Sequence, residues 1–319
     1  MKGEAGTRLT PITIGATLIP AEMAMPEFTK LVGGFAFTEC PQWHDGHLYF
    51  SDQHGYRVYQ SSIDGFADDI ATVPNRPSGL GFLPDGRLLI ASMCDRKIMR
   101  LENDGSLTLH ADLSTPAQGD INDMVVDTQG RAWVGNFGFD LHGGAPFRSA
   151  SLICVNQDGS ARIAAEGLGF PNGMALTPDG RTLIVAETLA NRLSAFDVHG
   201  SELGPRRTWA AFGDTPVSQS VSEILAHSEV VPDGICLDAE GAVWVADLMH
   251  HRLIRVSEGG EILQELSTPL SPFACMLGGI DGRALFICVA PTFHEAEART
   301  LMNSSILMTS VEIPRAGLP

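Results

Sequence analysis

The stretch FPNGMALTPDGRTLIV, from Phe170 to Val185, reads as one strand, one tight turn and a second strand. Met174, Leu176 and Thr177 precede the turn Pro178-Asp179-Gly180, and Thr182 to Ala186 form an apolar, partly β-branched run after it. The same unit recurs as RPSGLGFLPDGRLLIAS from Arg76, INDMVVDTQGRAWVGN from Ile121, VPDGICLDAEGAVWVAD from Val231 and PFACMLGGIDGRALFICVA from Pro272. A worn copy, TECPQWHDGHLYFSD, starts at Thr38. Six units at a spacing of roughly 40–50 residues, with room for four short strands each, are the signature of a β-propeller. The expected fold class is all-β, a six-bladed β-propeller with four-stranded blades.

The ends of the chain suggest how the ring closes. The last unit supplies only Ala274 to Leu277, Ala284 to Val289 and Ser305 to Val311, one strand short of a blade, while EFTKLV at Glu27 to Val32 precedes the first unit and looks like a strand. Pairing that segment into the last blade would remove both free edges. Residues 1–26 are read as an N-terminal extension without a clear period, and residues 27–319 as a single propeller domain. Two connections are irregular. The loop NFGFDLHGGAPFRS between Asn136 and Ser149 is long, and an insertion between Phe212 and Val231 carries Val217, Val221, Ile224 and Leu225 at helical spacing.

Composition narrows the class of function. The 319 residues are 44% hydrophobic and 18% charged, with neither a long apolar run nor a low-complexity tract, which are globular values. A formal net charge of -17 disfavours nucleic acid and anionic membranes as partners. The N-terminal stretch is punctuated by Thr, Pro and Gly rather than built on an apolar core, so a cytoplasmic location is expected. Cys154, Cys236, Cys275 and Cys288 sit in apolar strand patterns and read as small core residues.

Aligning the starts of the inner strands by their distance from the A-to-B turn puts Glu39, Ser78, Asn122, Asn172, Asp233 and Phe273 at one phase. Inner strands of a propeller line its axis, so these side chains should converge. Two carboxylates and two amides make a hard-oxygen cage suited to Ca²⁺, Mg²⁺ or Mn²⁺, and an open position would also admit Zn²⁺. Asn172-Gly173 and Asp233-Gly234 are also turn dipeptides, but they lie one strand away from the Pro-Asp-Gly turns and share a phase with Asn122 and Glu39. Glu39 weighs most, because a carboxylate between Phe37 and Trp43 at a buried strand start is costly without a partner.

The set formed by Glu39 in TECPQW, Asn122 in INDMVVD, Asn172 in PNGMAL and Asp233 in PDGICLD is similar to that of the SMP-30/gluconolactonase/LRE-like family of six-bladed propellers. More distantly it resembles the paraoxonase and diisopropylfluorophosphatase propellers. The likeness runs from about Phe35 onward. It implies one catalytic divalent ion, calcium foremost, held by Glu39, Asn172 and Asp233, with Asn122 as a fourth ligand or substrate contact. It also implies lactone hydrolysis, with Asp233 as general base. Asp120 stands where sugar-lactonase members carry an arginine, which turns the expectation away from a sugar acid lactone.

Loops on the same rim offer Met93, Phe137, His142, His250 and Phe293, which together with Asp120 are the expected substrate contacts. Their apolar share points to a lactone with an aromatic or alkyl part. The same cage would also serve a phosphotriester hydrolase, and a non-catalytic ligand-binding propeller with a structural metal is the reading from another class. An oligomer is compatible with all three.

Overall fold

The structure, a computed structural model, describes residues 27–317. Six sheets stand around an axis. Their inner strands are Thr38–His44, Pro77–Phe82, Ile121–Val126, Pro171–Leu176, Pro232–Leu237 and Ser271–Gly278. Each is followed outward by antiparallel neighbours in chain order, giving four-stranded blades. The fourth blade adds a two-residue strand, Glu202–Leu203, beside its third strand. Every A-to-B turn ends in a glycine with positive φ: Gly46, Gly86, Gly130, Gly180, Gly241 and Gly282. That single requirement is what made the repeat legible.

The apolar core is divided among the six blade-to-blade interfaces. Leu89, Ile98 and Leu113 of the second blade meet Ile121, Val134 and Ile153 of the third, and Ile184, Leu193 and Trp209 of the fourth meet Val243, Val245 and Ile254 of the fifth.

Near the axis the blades approach too closely for side chains at some positions. A Cβ on Gly173 would lie 2.5 Å from the Asp233 carbonyl oxygen, and one on Gly234 would lie 2.5 Å from Ala274. Neither glycine has a positive φ. The Asn-Gly and Asp-Gly pairs are therefore strand residues packed against the next inner strand, and not turns.

The ring is closed by Thr29–Phe35, which pairs antiparallel with Ser304–Ser310 as the outermost strand of the sixth blade. The strand begins and ends later than the expected Glu27 to Val32, because Val32 and Phe35 are its anchors, packed with Phe50, Phe286 and Ile306. The rest of the expected N-terminal extension, residues 1–26, lies outside the described residues. Removing residues 1–35 should strip these two buried side chains from the last blade and bare its edge, lowering stability by about 3–6 kcal/mol at ~1.5–3 kcal/mol per side chain. Thermal unfolding of the truncated protein checks this, and an unchanged midpoint would defeat the closure argument.

Two helices interrupt the β architecture. Helix α1, Val221–His227, lies in the insertion before the fifth blade, with the Ser220 side chain accepting from the Glu223 amide. Helix α2, Glu295–Leu301, sits between the second and third strands of the sixth blade and has no counterpart in the sequence reading. Among the described residues no helix is long and apolar enough to cross a membrane.

Candidate metal centre

Each of the first five inner strands carries a register shift near its start, between Glu39 and Gln42, Pro77 and Leu80, Ile121 and Met124, Pro171 and Met174, and Pro232 and Ile235. Such a bulge turns side chains out of strict alternation. Here it brings Glu39, Ser78, Asn122, Asn172 and Asp233 together at one end of the channel, all buried. Phe273 occupies the sixth position and packs edge-on against Phe37.

A run of hydrogen bonds follows the circumference. Gln53 Nε2 donates to Ser78 Oγ at 3.2 Å, Ser78 Oγ to Asn122 Oδ1 at 2.9 Å, and Asn122 Nδ2 to Asn172 Oδ1 at 2.7 Å. Asn172 Nδ2 in turn donates to Asp233 Oδ1 and to Thr188 Oγ1, the latter at 3.0 Å. Each amide is thus oriented by the blade before it. The carbonyl oxygens of both asparagines keep a second lone pair for another partner.

A third carboxylate joins the two expected. Asp123 follows Asn122 on the same bulge, and its Oδ1 accepts from the Cys40 thiol at 2.7 Å. Oxygen or sulfur atoms of Glu39, Cys40 and Asp123 all lie within 4.8 Å of one another. Strict strand alternation would send Asp123 away from its neighbour Asn122, so sequence periodicity hid it. None of the six aligned positions is a cysteine, but Cys40 stands beside Glu39 and joins the cluster.

None of these three carboxylates has a salt-bridge partner among the described residues. Burial, followed by the charges of Asp233 and Asp123, pushes the Glu39 carboxyl well above its usual range. Asp233 is raised by burial and then by Asp123, and burial pushes Asp123 up to about 6. Three buried acids facing one another without a cation are self-opposing. The donor set of carboxylates and amide oxygens fits a hard divalent ion, which would supply the missing positive charge.

Above the ring lies a cavity of about 170 Å³ that includes Glu39, Asn122, Asn172 and Asp233 in its lining. Its walls are Phe137, Phe170, Leu189, Val221 and Leu225 on one side and Phe37, His54, Leu248, Phe273 and Phe293 on the other. Of the expected substrate contacts, Phe137, His142 and Phe293 line it. Met93 does not: it is buried beneath, packed with Phe137, Phe139 and Ile224. Asp120 stands outside the lining, where its carboxyl is raised by burial and lowered by the nearby His142. His250 is held outside as well, by Asp247 at 2.8 Å.

The carboxylates at the ends of the second strands are structural. Asp52 accepts from the Phe37 amide at 2.8 Å, Glu187 from Gly169 at 2.7 Å, and Asp247 from Val231 at 2.9 Å, so each pins the chain just before an inner strand. Arg192 and Arg252 neutralise two of them, at 2.9 and 2.8 Å. These bonds fix where the ring residues emerge.

Helix α1 and the loop after Asn136 cover one side of the cavity. Ile224 of α1 is fully buried with Met93, Phe137, Phe139 and Phe170, while Val221 and Leu225 on its adjacent face reach the cavity. The loop after Asn136 joins it through Phe147, whose amide donates to the Gln219 carbonyl at 2.9 Å. Val217, expected on the helix, is fully exposed and precedes it, and Met249 takes no part in this cluster. On the sixth blade, Glu295 of α2 accepts from Tyr56 and Arg76, while Arg299 lies over the Tyr56 ring at 5.1 Å.

Comparison with known proteins matches residues 37–291 to the family model described as the SMP-30/Gluconolactonase/LRE-like region. The chain belongs to this family. Among its SMP-30/gluconolactonase relatives, a pentonolactonase of Haloferax volcanii is 25% identical over 79% of this chain and 81% of its own. Regucalcin of Danio rerio is 28% identical over 82% of this chain and 85% of its own. A solved structure of a calcium-binding protein, regucalcin, from Agrobacterium tumefaciens superposes with a TM-score of 0.72 at 20% identity, covering 89% of this chain and 93% of that one. The propeller expected from the repeats is the fold of the family.

Proposed function

We propose that this SMP-30/gluconolactonase-family chain is a divalent-cation-dependent lactonase whose substrate carries an apolar or aromatic part. The observation that carries this reading is the stacking of an apolar cavity directly on a floor of unneutralised carboxylates and amides. Glu39, Asn172 and Asp233 would hold the cation, with Asn122 beside them, and calcium is the first ion to test given the calcium-binding relative. When bound, such an ion supplies the Lewis acidity that polarises a lactone carbonyl and acidifies water.

The chain's own residues account for the remaining needs. Asp233 is buried and placed on the cavity floor, which suits it to take a proton from the attacking water and return it to the ring oxygen as the ester C–O bond breaks. The Asn172 amide donates to one Asp233 oxygen and so fixes the orientation of the carboxylate on the floor. Val221, Leu225 and Phe137 exclude solvent and give the leaving half of the substrate an apolar wall. The regucalcin structure shares the fold, and the apolar walls favour a lactone with a hydrocarbon part over a polyhydroxylated ring.

A lactone panel assayed on chelated and cation-restored protein tests the proposal. Dihydrocoumarin and alkyl-substituted butyrolactones should be opened about tenfold or more faster than gluconolactone, consistent with one to two methylene-sized apolar contacts. The variant Leu225→Ser should raise KM for the bulky lactones more than for unsubstituted butyrolactone. Turnover of none of them, or hydrolysis only of a phosphotriester run in parallel, would replace the lactonase reading.

A further inference from the structure

One residue directly follows the second strand of each blade, and in the first five blades these residues are held alike. The amides of Gln53, Met93, Phe137, Thr188 and Leu248 donate to the carbonyls of Phe37, Arg76, Asp120, Phe170 and Val231, each the residue just before an inner strand. Three of the five side chains are apolar. The other two are both bonded to the ring of aligned residues, and they stand near its two ends. Gln53 Nε2 donates to Ser78 Oγ at 3.2 Å, where the run of hydrogen bonds starts, and Thr188 Oγ1 accepts from Asn172 Nδ2 at 3.0 Å, close to where it stops.

Thr188 has the more constrained chemistry. Its hydroxyl donates to the Pro232 carbonyl oxygen at 2.8 Å. A hydroxyl has one hydrogen and a main-chain carbonyl only accepts, so this bond uses the hydrogen and leaves Oγ1 an acceptor toward Asn172. The group that Asn172 turns to it must therefore be the NH2. Both hydrogens of that group are then placed, one on Thr188 and one on Asp233 Oδ1, and the carbonyl oxygen is turned to the other side, where Asn122 Nδ2 donates to it at 2.7 Å. The polarity of the Asn172 amide is thus dictated by a backbone carbonyl of the next blade, which accepts in every state of the site.

Thr188 is itself held in place. It is buried, its amide is bonded to the Phe170 carbonyl at 3.1 Å, and the amide of Leu189 is bonded to Gly169 at 2.9 Å. The Pro232 carbonyl belongs to the peptide unit that leads into Asp233. One hydroxyl therefore sets the rotation of Asn172 and the entry of the strand that bears Asp233, joining the fourth blade to the fifth.

We propose that Thr188 is a positioning residue of the metal centre, its hydroxyl keeping the Asn172 carbonyl oxygen, rather than the NH2 group, available to a cation. This deepens the cation-dependent reading and rests on it for the ion. An amide free to turn would present N–H groups to the ion for part of the time, and hard divalent cations take oxygen. Thr188 acts through Asn172 and needs no contact with the ion.

Thr188→Val keeps the shape and removes the hydroxyl. In calorimetric titration with calcium and manganese after chelation, its affinity should fall about tenfold or more, as for other residues that orient a metal ligand, while Thr188→Ser should stay within about threefold of the parent. The Asn172 side-chain amide, followed by nitrogen-resolved NMR in the cation-free proteins, reads the lock directly. One of its two hydrogen signals should move upfield in Thr188→Val, where it loses its acceptor, and both should keep the parent's positions in Thr188→Ser. Unchanged affinity in Thr188→Val overturns the proposal, even if the thermal midpoint falls, and so do unchanged Asn172 signals.

If Thr188→Val does not fold, the parent and Thr188→Ser decide. Rapid solvent exchange of either Asn172 amide hydrogen in the parent overturns the assignment; slow exchange of both, with cation affinity retained in Thr188→Ser, upholds it. A parent that binds no divalent cation defeats the proposed function and the role of Thr188 with it. A parent and a Thr188→Val variant that bind cation equally well defeat the role of Thr188 alone.

Discussion

Replacing Glu39 by glutamine is expected to weaken divalent-cation binding by two orders of magnitude or more. The substitution preserves shape and the acceptor for the Cys40 amide, 3.1 Å away, while removing one charge from the set of three buried carboxylates. Loss of a residue that merely supports a metal ligand already costs about 10–100-fold in affinity, and a charged ligand should cost more. Calorimetric titration with calcium and manganese, preceded by chelation, gives the number. Affinity equal to the parent's would make Glu39 a packing residue and remove the main support for the metal centre. The acid's position argues otherwise, because burial without a cation raises its proton affinity rather than supplying a partner.

Asp233→Asn should lower kcat by about 10²–10⁴-fold when the cation is held at saturation, the range over which a positioned general base contributes. Saturation matters, since the change removes a charge from the floor as well as a base. Asn172 also donates to Asp233 Oδ1, so the asparagine replacement must keep its carbonyl toward Asn172 and turn its amide toward the cavity, where it cannot accept the proton. A variant that binds cation more weakly but turns over at the parent rate once loaded would leave Asp233 as a ligand and place the base elsewhere. A fall of that size at saturation together with retained folding is the outcome the mechanism requires.

The fold and the ring of six positions were readable because both are written as phase. Turns ending in glycine repeat at a fixed distance from Ser78, Asn122, Asn172 and Asp233, and the inner strands place that phase on one level of the channel. Asp123 was not readable, since a bulge breaks the alternation from which facing is deduced. Residues on the rim were partly readable. Phe137, His142 and Phe293 reach the cavity, but Met93 is drawn under Phe137, and His250 is captured by Asp247. Loop side chains go where tertiary partners send them, and period carries no information about those partners. Helix α2 had a local signal in its Glu-Ala-Glu-Ala-Arg run, outweighed by the expectation that one strand would lead directly to the next.

The closing strand has a consequence for how the molecule is made. Thr29 pairs with Met308 and Phe35 with Ser304, so the first and the last of the described strands share a blade. On a ribosome, five blades can assemble as they emerge, each hairpin finding a partner close in sequence, but the N-terminal strand must wait for nearly the whole chain before it has anything to join. Contacts of such separation carry the largest loop-closure cost and form late. Until then the nascent propeller is an open arc with two raw sheet edges, and its exposure to mispairing depends on how quickly the last strands are synthesised.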